Sequence, residues 1–310
     1  MMMSIERILC PVDFSEFSQR ALDHAGTIAR WYGAKVLALH VFAVPPGLEK
    51  IFPHARGGIL DGDGRGELLN DLQALAAPLR ERDVPVDLVL REGDVASRIR
   101  ELAEAAAADL IVVGTHGRRG YERWLLGSVT ERILRVAACP VLTVPRAATS
   151  PAASPADWTT ILCPVDFSPA SLAAVDYALS FAQQVNARLV LLHVVEWFLD
   201  QAALAGASPE LARYHRVLHD EALERLEALI PAAARDWCRA EALVAHGRPY
   251  ERVLEAASDQ AASLIVMGAQ GRAGVRLAFF GSTTQHVIRG AVCPVLSVRG
   301  PRAASRSAAA

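Results

Sequence analysis

Lysine is almost missing from this sequence. Of its 32 cationic side chains only Lys35 and Lys50 are lysines, and residues 151–310 contain none. A mechanism needing a lysine in each half is excluded, as is the phosphate-binding signature Gly-x-x-x-x-Gly-Lys-Ser/Thr in the second half. No excess of one charge exists either: the net charge is −2, and residues 1–150 and 151–310 each carry −1. Neither half has the basic field by which nucleic acid or an anionic membrane surface is held. Cysteine is sparse. Cys10, Cys139, Cys163, Cys238 and Cys293 are odd in number and scattered, which argues against a disulfide framework and fits a reducing compartment. No uncharged apolar run approaches the roughly 18 residues of a membrane span. The first residues, with Glu6 and Arg7 before a very short apolar stretch, do not read as a signal peptide. A cytoplasmic protein is expected. With 52% hydrophobic and 21% charged residues over 310 positions, the composition is globular and the length suits two domains.

What is present is one unit written twice. Residues 8–15 read Ile-Leu-Cys-Pro-Val-Asp-Phe-Ser, and residues 161–168 repeat them without a change. At that same offset of 153, Leu39-His40-Val41 meets Leu192-His193-Val194. At 154, Gly114, Gly117, Gly127 and Ser128 meet Gly268, Gly271, Gly281 and Ser282, and Cys139-Pro140-Val141-Leu142 meets Cys293-Pro294-Val295-Leu296. A period this long makes each copy a whole domain. The first domain is placed at residues 1–146 and the second at 157–299. Between them, residues 147–156 have the small, Pro-containing composition of a linker, and residues 300–310 read as a frayed tail.

Within copy one, apolar runs alternate with amphipathic stretches. Strands are expected at 7–12, 35–42, 86–90, 110–114 and 141–144, and helices at 16–32, 67–82, 95–107 and 128–136; copy two repeats the order over 160–298. Runs such as Leu110-Ile111-Val112-Val113 and Leu189-Val190-Leu191-Leu192 suit strands buried on both faces of a parallel sheet. The fold class is therefore α/β, two tandem doubly wound five-stranded parallel-sheet domains with right-handed crossovers. Residues 43–66 and 196–209 break the rhythm and read as flexible flaps.

Ligands of open α/β sheets bind beyond the carboxyl ends of the strands. Three features converge there: Pro11-Val12-Asp13-Phe14-Ser15 closing the first strand, His40-Val41 at the end of the second, and the run Gly-2x-Gly-9x-Gly-Ser from Gly114 to Ser128. Gly114 ends a buried strand where a ligand could approach the backbone. Gly117 permits a positive φ and leaves amides uncovered. Gly127-Ser128 opens a helix whose unpaired amides and dipole make an anion site; the Ser128 hydroxyl can donate to a phosphate or cap the helix. Asp13 is an acceptor fixed at a strand end, suited to ribose hydroxyls or a base amino group. Together these describe a nucleotide site, although the Gly-x-Gly-x-x-Gly dinucleotide signature is absent.

These duplicated motifs resemble the universal stress protein family, within the wider adenine nucleotide alpha hydrolase-like group, as two complete family domains in one chain. The resemblance covers nearly everything except the linker, the two inserted loops and the tail. It implies ATP, with Mg²⁺, as the bound molecule, since ATP-binding members carry the same glycine spacing. By matching motif it implies Pro11, Val12, Asp13 and Val41 at the adenosine, Gly114 and Gly117 along ribose and phosphate, and Gly127, Ser128 and Val129 at the phosphates. The matching positions in copy two are Pro164, Val165, Asp166, Val194, Gly268, Gly271, Gly281, Ser282 and Thr283. It also implies pairing through the last strands, here an intrachain pseudo-dimer, with a further homodimer open. The expected role is nucleotide-dependent stress response through a protein partner the sequence does not identify, with at most slow ATP hydrolysis. An adenine-nucleotide ligase or adenylyl transferase, and an interaction module that makes no use of nucleotide, are the alternatives.

Other candidates read as structural. His40 and His193 suit hydrogen-bonded strand-end histidines, Cys10 and Cys163 small buried hydrophobes, and Asp61-Gly62-Asp63-Gly64 a loop. His215 and His219 lie four apart on an expected helix, a spacing that can bind zinc; with no third ligand in view they read as a solvated face. Copy one has Arg118-Arg119 where copy two has Arg272-Ala273, so its site is expected to hold triphosphate more tightly.

Overall fold

Each half opens on a strand buried on both faces, and the rest of that half is built outward from it. The computed structural model describes residues 4–42, 62–115, 126–145, 155–196, 209–234, 238–271 and 280–300. The first half runs β1 (Arg7–Val12), α1 (Glu16–Tyr32), β2 (Lys35–Phe42), α2 (Gly62–Arg80), β3 (Val86–Glu92), α3 (Val95–Ala105), β4 (Leu110–Gly114), α4 (Ser128–Val136) and β5 (Val141–Val144). The second runs β6 (Thr160–Pro164), α5 (Pro169–Val185), β7 (Arg188–Val195), α6 (Pro209–Glu227), β8 (Ala240–His246), α7 (Pro249–Asp259), β9 (Leu264–Gly268), α8 (Ser282–Gly290) and β10 (Val295–Val298). A 3₁₀ turn, Pro155–Asp157, precedes β6. The expected elements all form, with small shifts at their ends. One shift is a correction: residues 62–66, expected in a flap, are the first turn of α2. Leu72, Ala76 and Leu79 bury its later turns, and a helix anchored that way propagates through glycines that would not nucleate one. Asp63 thus lies in a helix, not a loop. The rest of that flap, residues 43–61, and 197–208 of the other lie outside the described residues.

All ten strands form one sheet in the order β3-β2-β1-β4-β5-β10-β9-β6-β7-β8. Each half is parallel internally, and β5 meets β10 antiparallel, Leu142 opposite Leu296. This is the intrachain pairing expected of the last strands. Alternate residues of each strand enter cores on opposite faces: Ile8, Cys10 and Val12 join α1, α2, α5 and α6, while Leu9 joins α3, α4, α7 and α8. Both cores run across the junction between the halves.

Side chains lock that junction. Thr143 Oγ1 donates to the Val295 carbonyl at 3.1 Å, and its counterpart Ser297 Oγ to the Val141 carbonyl at 3.2 Å. On one face of the sheet Trp158, 1% exposed, packs between Trp31 and Phe181 at ring distances of 5.7 and 5.6 Å, and the Tyr32 hydroxyl meets Ser180 Oγ at 2.7 Å. On the other, Arg299 donates to the Leu134 and Arg135 carbonyls at 2.9 and 2.6 Å, closing the C-terminal end of α4 with a cation. The five cysteines are free. Burial pushes the Cys10 and Cys163 thiols far above their usual range and those of Cys139 and Cys293 up to about 12, so these four are packing groups rather than nucleophiles.

Near the aromatic cluster, His24 is buried on α1, its Nδ1 2.9 Å from the Arg20 carbonyl. Burial lowers its pKa from 6.5 to about 4. A histidine held neutral in the fold but protonating normally when unfolded contributes stability above about pH 6.5 that is lost as pH falls toward 4. The loss from His24 should approach 3 kcal/mol at the acid end. Urea unfolding at a series of pH values should show this slope in the native protein and a shallower one in His24→Leu.

Candidate functional site

The site begins where strands separate. In the first half β1 pairs with β2 over six positions but with β4 only at Ile8 and Leu9. The second half repeats this, β6 meeting β9 only at Ile161 and Leu162. Beyond those pairs the two strands part toward their carboxyl ends. Pro11 and Pro164, which have no N–H to donate, stand past the last rung. The parting leaves a crevice at the point where strand order reverses, the usual ligand position in such sheets.

The turn after β1 is built by its own side chains. Asp13 Oδ1 accepts from the Ser15 amide at 3.1 Å and the Ser15 hydroxyl at 2.5 Å. Ser15 in turn caps α1, accepting from the Ser18 amide at 3.3 Å. Asp166, Ser168 and Ser171 repeat this at 3.0, 2.6 and 3.3 Å. The residue inside each turn, Phe14 or Phe167, is forced to a φ of 60° or 61°, a left-handed conformation that bulky residues avoid and that functional turns often hold. The aromatic rings lie tilted against His40 and His193, with centroids 4.4 and 4.8 Å apart. Those histidines place Nδ1 2.8 and 2.6 Å from the Val12 and Val165 carbonyls, as expected of strand-end histidines; they brace the turn.

In the second half all nine positions singled out by the sequence line one cleft of about 680 Å³. Pro164, Val165 and Asp166 come from the end of β6, Val194 from β7, Gly268 and Gly271 from β9 and the turn after it, and Gly281, Ser282 and Thr283 from the start of α8. In the first half Pro11, Val12, Asp13, Val41, Gly114, Gly127, Ser128 and Val129 hold the same places in the topology. Gly117 lies outside the described residues, with the rest of 116–125. So does Arg118-Arg119, and with it the expected advantage of the first site.

The structure separates the roles of the glycines. Gly114 and Gly268 have a packing reason as well: each admits a helix backbone. A Cβ on Gly268 would sit 2.8 Å from the Ser171 amide nitrogen, and one on Gly114 3.2 Å from the Phe17 carbonyl oxygen. Gly271 fits the ligand reading: a Cβ there would stand 2.9 Å from Asp166 Oδ2, inside the cleft. Ser128 and Ser282 also take a narrower role. The N-cap positions are Gly127 and Gly281, and no side chain caps either helix. The serine is the first helical residue, and the first-turn amides of such a helix have no partner within it.

Several lining groups were not singled out from the sequence. Thr130 and Thr284 donate from Oγ1 to the Gly114 and Gly268 carbonyls at 2.8 and 2.9 Å, tying each helix start to its strand end. Their signal was present, a threonine two residues after the serine in both copies. Leu218, Glu221 and Arg225 of α6 form one further wall, with the Arg225 guanidinium 3.8 Å over the Phe167 ring. Nothing in the repeat pointed to them, because α6 does not share its sequence with α2.

The solvated-face reading of His215 and His219 is overturned. Both are partly buried, and a third imidazole, His246 at the end of β8, stands between α6 and the sheet. Its Nε2 is 3.2 Å from His219 Nδ1 and its ring 4.0 Å from that of His215. Strand β8 supplies the partner, which helical spacing could not reveal. The arrangement is a stack and a hydrogen bond, and among the described residues no group of three histidine, cysteine or acidic side chains has the geometry to hold a metal.

A family model described as the Universal stress protein family matches residues 4–145 and again 157–299. The chain belongs to the universal stress protein family. Two similar relatives bear the name universal stress protein. That of Mycolicibacterium smegmatis is 28% identical over 299 residues, covering 94% of this chain and 96% of its own. One from Methanocaldococcus jannaschii is 36% identical over 148 residues, 45% of this chain and 81% of the relative. Among solved structures, a universal stress protein from Archaeoglobus fulgidus superposes with a TM-score of 0.61 at 21% identity, over 94% of this chain and 98% of that one. At that identity the likeness establishes the shared tandem fold. None of the described helices is long and apolar enough to cross a membrane.

The two glycine roles separate by experiment. Gly268→Ala, driven against backbone, should destabilise the universal stress protein by about 1–3 kcal/mol. Gly271→Ala, which among the described residues meets only a carboxylate, should stay within about 0.5 kcal/mol of the native value. Urea unfolding of the two variants measures the difference.

Proposed function

We propose that this universal stress protein binds ATP, one site per half, and acts in stress response through nucleotide occupancy rather than through turnover. The observation that carries the reading is the convergence of all nine second-half positions on one cleft, whose volume falls in the range of small-molecule sites. The residues fit the nucleotide. Asp166 and Val194 offer an acceptor and an apolar surface for the adenosine. The uncapped start of α8, with the Ser282 and Thr283 hydroxyls beside it, suits an anion on charge and hydrogen-bonding grounds. The same reasoning assigns Pro11, Val12, Asp13 and Val41 to adenosine in the first half, and Gly127, Ser128 and Val129 to phosphate. Mg²⁺ would neutralise phosphate charge in either site. Intrachain pairing through β5 and β10 needs no second chain; a cytoplasmic setting is favoured by five free thiols.

Efficient hydrolysis is not part of the proposal. Attack on a terminal phosphate needs a positioned water and usually a base near it. The carboxylates lining the described cleft are Asp166, Glu196 and Glu221. Asp166 holds its turn, Glu221 stands on α6, whose core lies across the sheet from that of α8, and Glu196 follows the end of β7.

Denaturing the purified protein and identifying what it releases tests the proposal, together with a thermal shift on adding ATP and Mg²⁺. Nucleotide at up to two per chain is expected, or a stabilisation of about 2.7 kcal/mol at a hundredfold excess over the dissociation constant. Gly271→Ala should lower the affinity by displacing Asp166 Oδ2. A protein that releases no nucleotide and shows no shift would not be an ATP-binding member.

A further inference from the structure

The two halves differ most on the outer helix of one face. In α6 the residues turned toward the sheet are His215, His219, Ala222 and Leu226, a stripe at helical spacing. In α2 the buried residues are Leu72, Ala76 and Leu79, against Ala222, Leu226 and Ile230 in the second half. That register puts Leu69 opposite His219 and Arg65 opposite His215, and the 154-residue offset puts Glu92 opposite His246. Three imidazoles thus occupy in one half what a leucine, an arginine and a glutamate occupy in the other.

The contact between His219 Nδ1 and His246 Nε2, 3.2 Å with rings inclined by 19°, is a nitrogen–nitrogen hydrogen bond. It requires one nitrogen to carry a proton and the other a lone pair. The His215 ring also lies against His246, tilted by 33° with 4.0 Å between ring centroids. His246 Nδ1 is buried and meets no hydrogen-bond partner among the described residues. The cluster therefore holds together only while its imidazoles are mostly neutral. The same helix supplies the wall of the cleft: Leu218, Glu221, Ala222 and Arg225 lie on the turns beside and beyond the histidines.

We propose that His215, His219 and His246 form an acid-sensitive latch, which pins α6 to edge strand β8 while neutral and releases it on protonation, opening the cleft of the second half but not the first. Adding protons to both members of the hydrogen bond sets N–H against N–H and places like charges at contact distance in partly buried surroundings. The groups facing His246 reinforce this. Strand β7 contributes His193, with Glu196 one residue past its end. Helix α6 contributes His215 and His219, with Arg216, Asp220 and Glu221 on its exposed side. From α7, Arg248 pairs with Glu251 and Arg252 with Glu255, at 3.4 and 2.6 Å. Burial first, then the His215, His219 and His193 imidazoles, lower the His246 pKa from 6.5 to about 4. A depressed histidine pKa means that the closed arrangement is favoured above about pH 6.5 and is progressively lost below it. In the first half these three places hold no imidazole.

Hydrogen exchange on the full chain without nucleotide tests the latch, comparing about pH 7.5 with about pH 5 after correction for intrinsic rates. Residues 210–227 should lose protection by roughly tenfold or more, the equivalent of one pKa unit, while residues 64–80 keep theirs. In His219→Leu and in His246→Gln the acid effect should shrink severalfold. Equal protection of residues 210–227 at both values, an equal loss in both helices, or an unchanged acid effect in both variants would overturn the latch. Should the variants fail to fold, an NMR titration of the native imidazoles decides. A histidine titrating well below the ordinary value supports the latch, and all of them titrating independently near it refutes it. The consequence for ligand rests on the nucleotide reading: ATP should leave the second site as pH falls while the first retains it. A chain that binds no ATP at either pH refutes that reading and leaves the exchange result standing.

Discussion

The structure depends on the pairing of β5 with β10. An open parallel sheet ends in a strand whose outward N–H and C=O groups have no partner, and such an edge seeks another chain. Here each half closes the edge of the other. The repeat makes the match self-complementary, so Thr143 reaches the Val295 carbonyl as Ser297 reaches that of Val141. Because the pairing is antiparallel, the carboxyl ends of the two sets of strands point in opposite directions. The two candidate sites therefore open at opposite ends of one ten-stranded sheet. Both hydrophobic cores are continuous through the junction, which makes the tandem chain a single packed body rather than two domains on a string.

Within each half, geometry at the site follows from two constraints acting against each other. The β1–β4 and β6–β9 ladders stop after two residues, which opens the crevice. The aspartate-centred turn, a hydroxyl cap and a histidine on the strand's last carbonyl then fix its floor, at the expense of holding Phe14 and Phe167 in a left-handed backbone. The helix across the crevice is tied back by a threonine hydroxyl instead of being capped, which leaves its first-turn amides for a ligand. The same arrangement occurs in both halves.

The halves have diverged where the repeated motifs do not reach. Arg132 grips Asp94 with two hydrogen bonds of 2.8 and 2.7 Å, joining α4 to the start of α3 and holding that carboxyl far below the usual range. At the matching positions of the second half stand Arg248 and His286, and His286 stacks on Tyr250 at 4.6 Å instead. The same packing problem is thus solved by an ion pair in one copy and by rings in the other. The imidazole cluster under α6, the helix that also walls the second cleft, is the larger case of this divergence.

The sequence by itself determined the element order, the fold class, the division into two repeats and the nine-position set that lines the second cleft. The first three follow from local signals, namely period, capping and the spacing of glycines about strand ends, which duplication displays twice; the nine-position set also needed the family resemblance that those motifs carry, Thr283 above all. It did not show why Gly114 and Gly268 are glycine, since the answer is a helix backbone supplied by α1 or α5. Nor did it show that Arg225 lies over Phe167, or that His246 completes a cluster begun by His215 and His219. Such contacts join residues far apart in the chain. Only the crossing of α6 over β8, which is set by how both pack on the sheet, brings their side chains within reach.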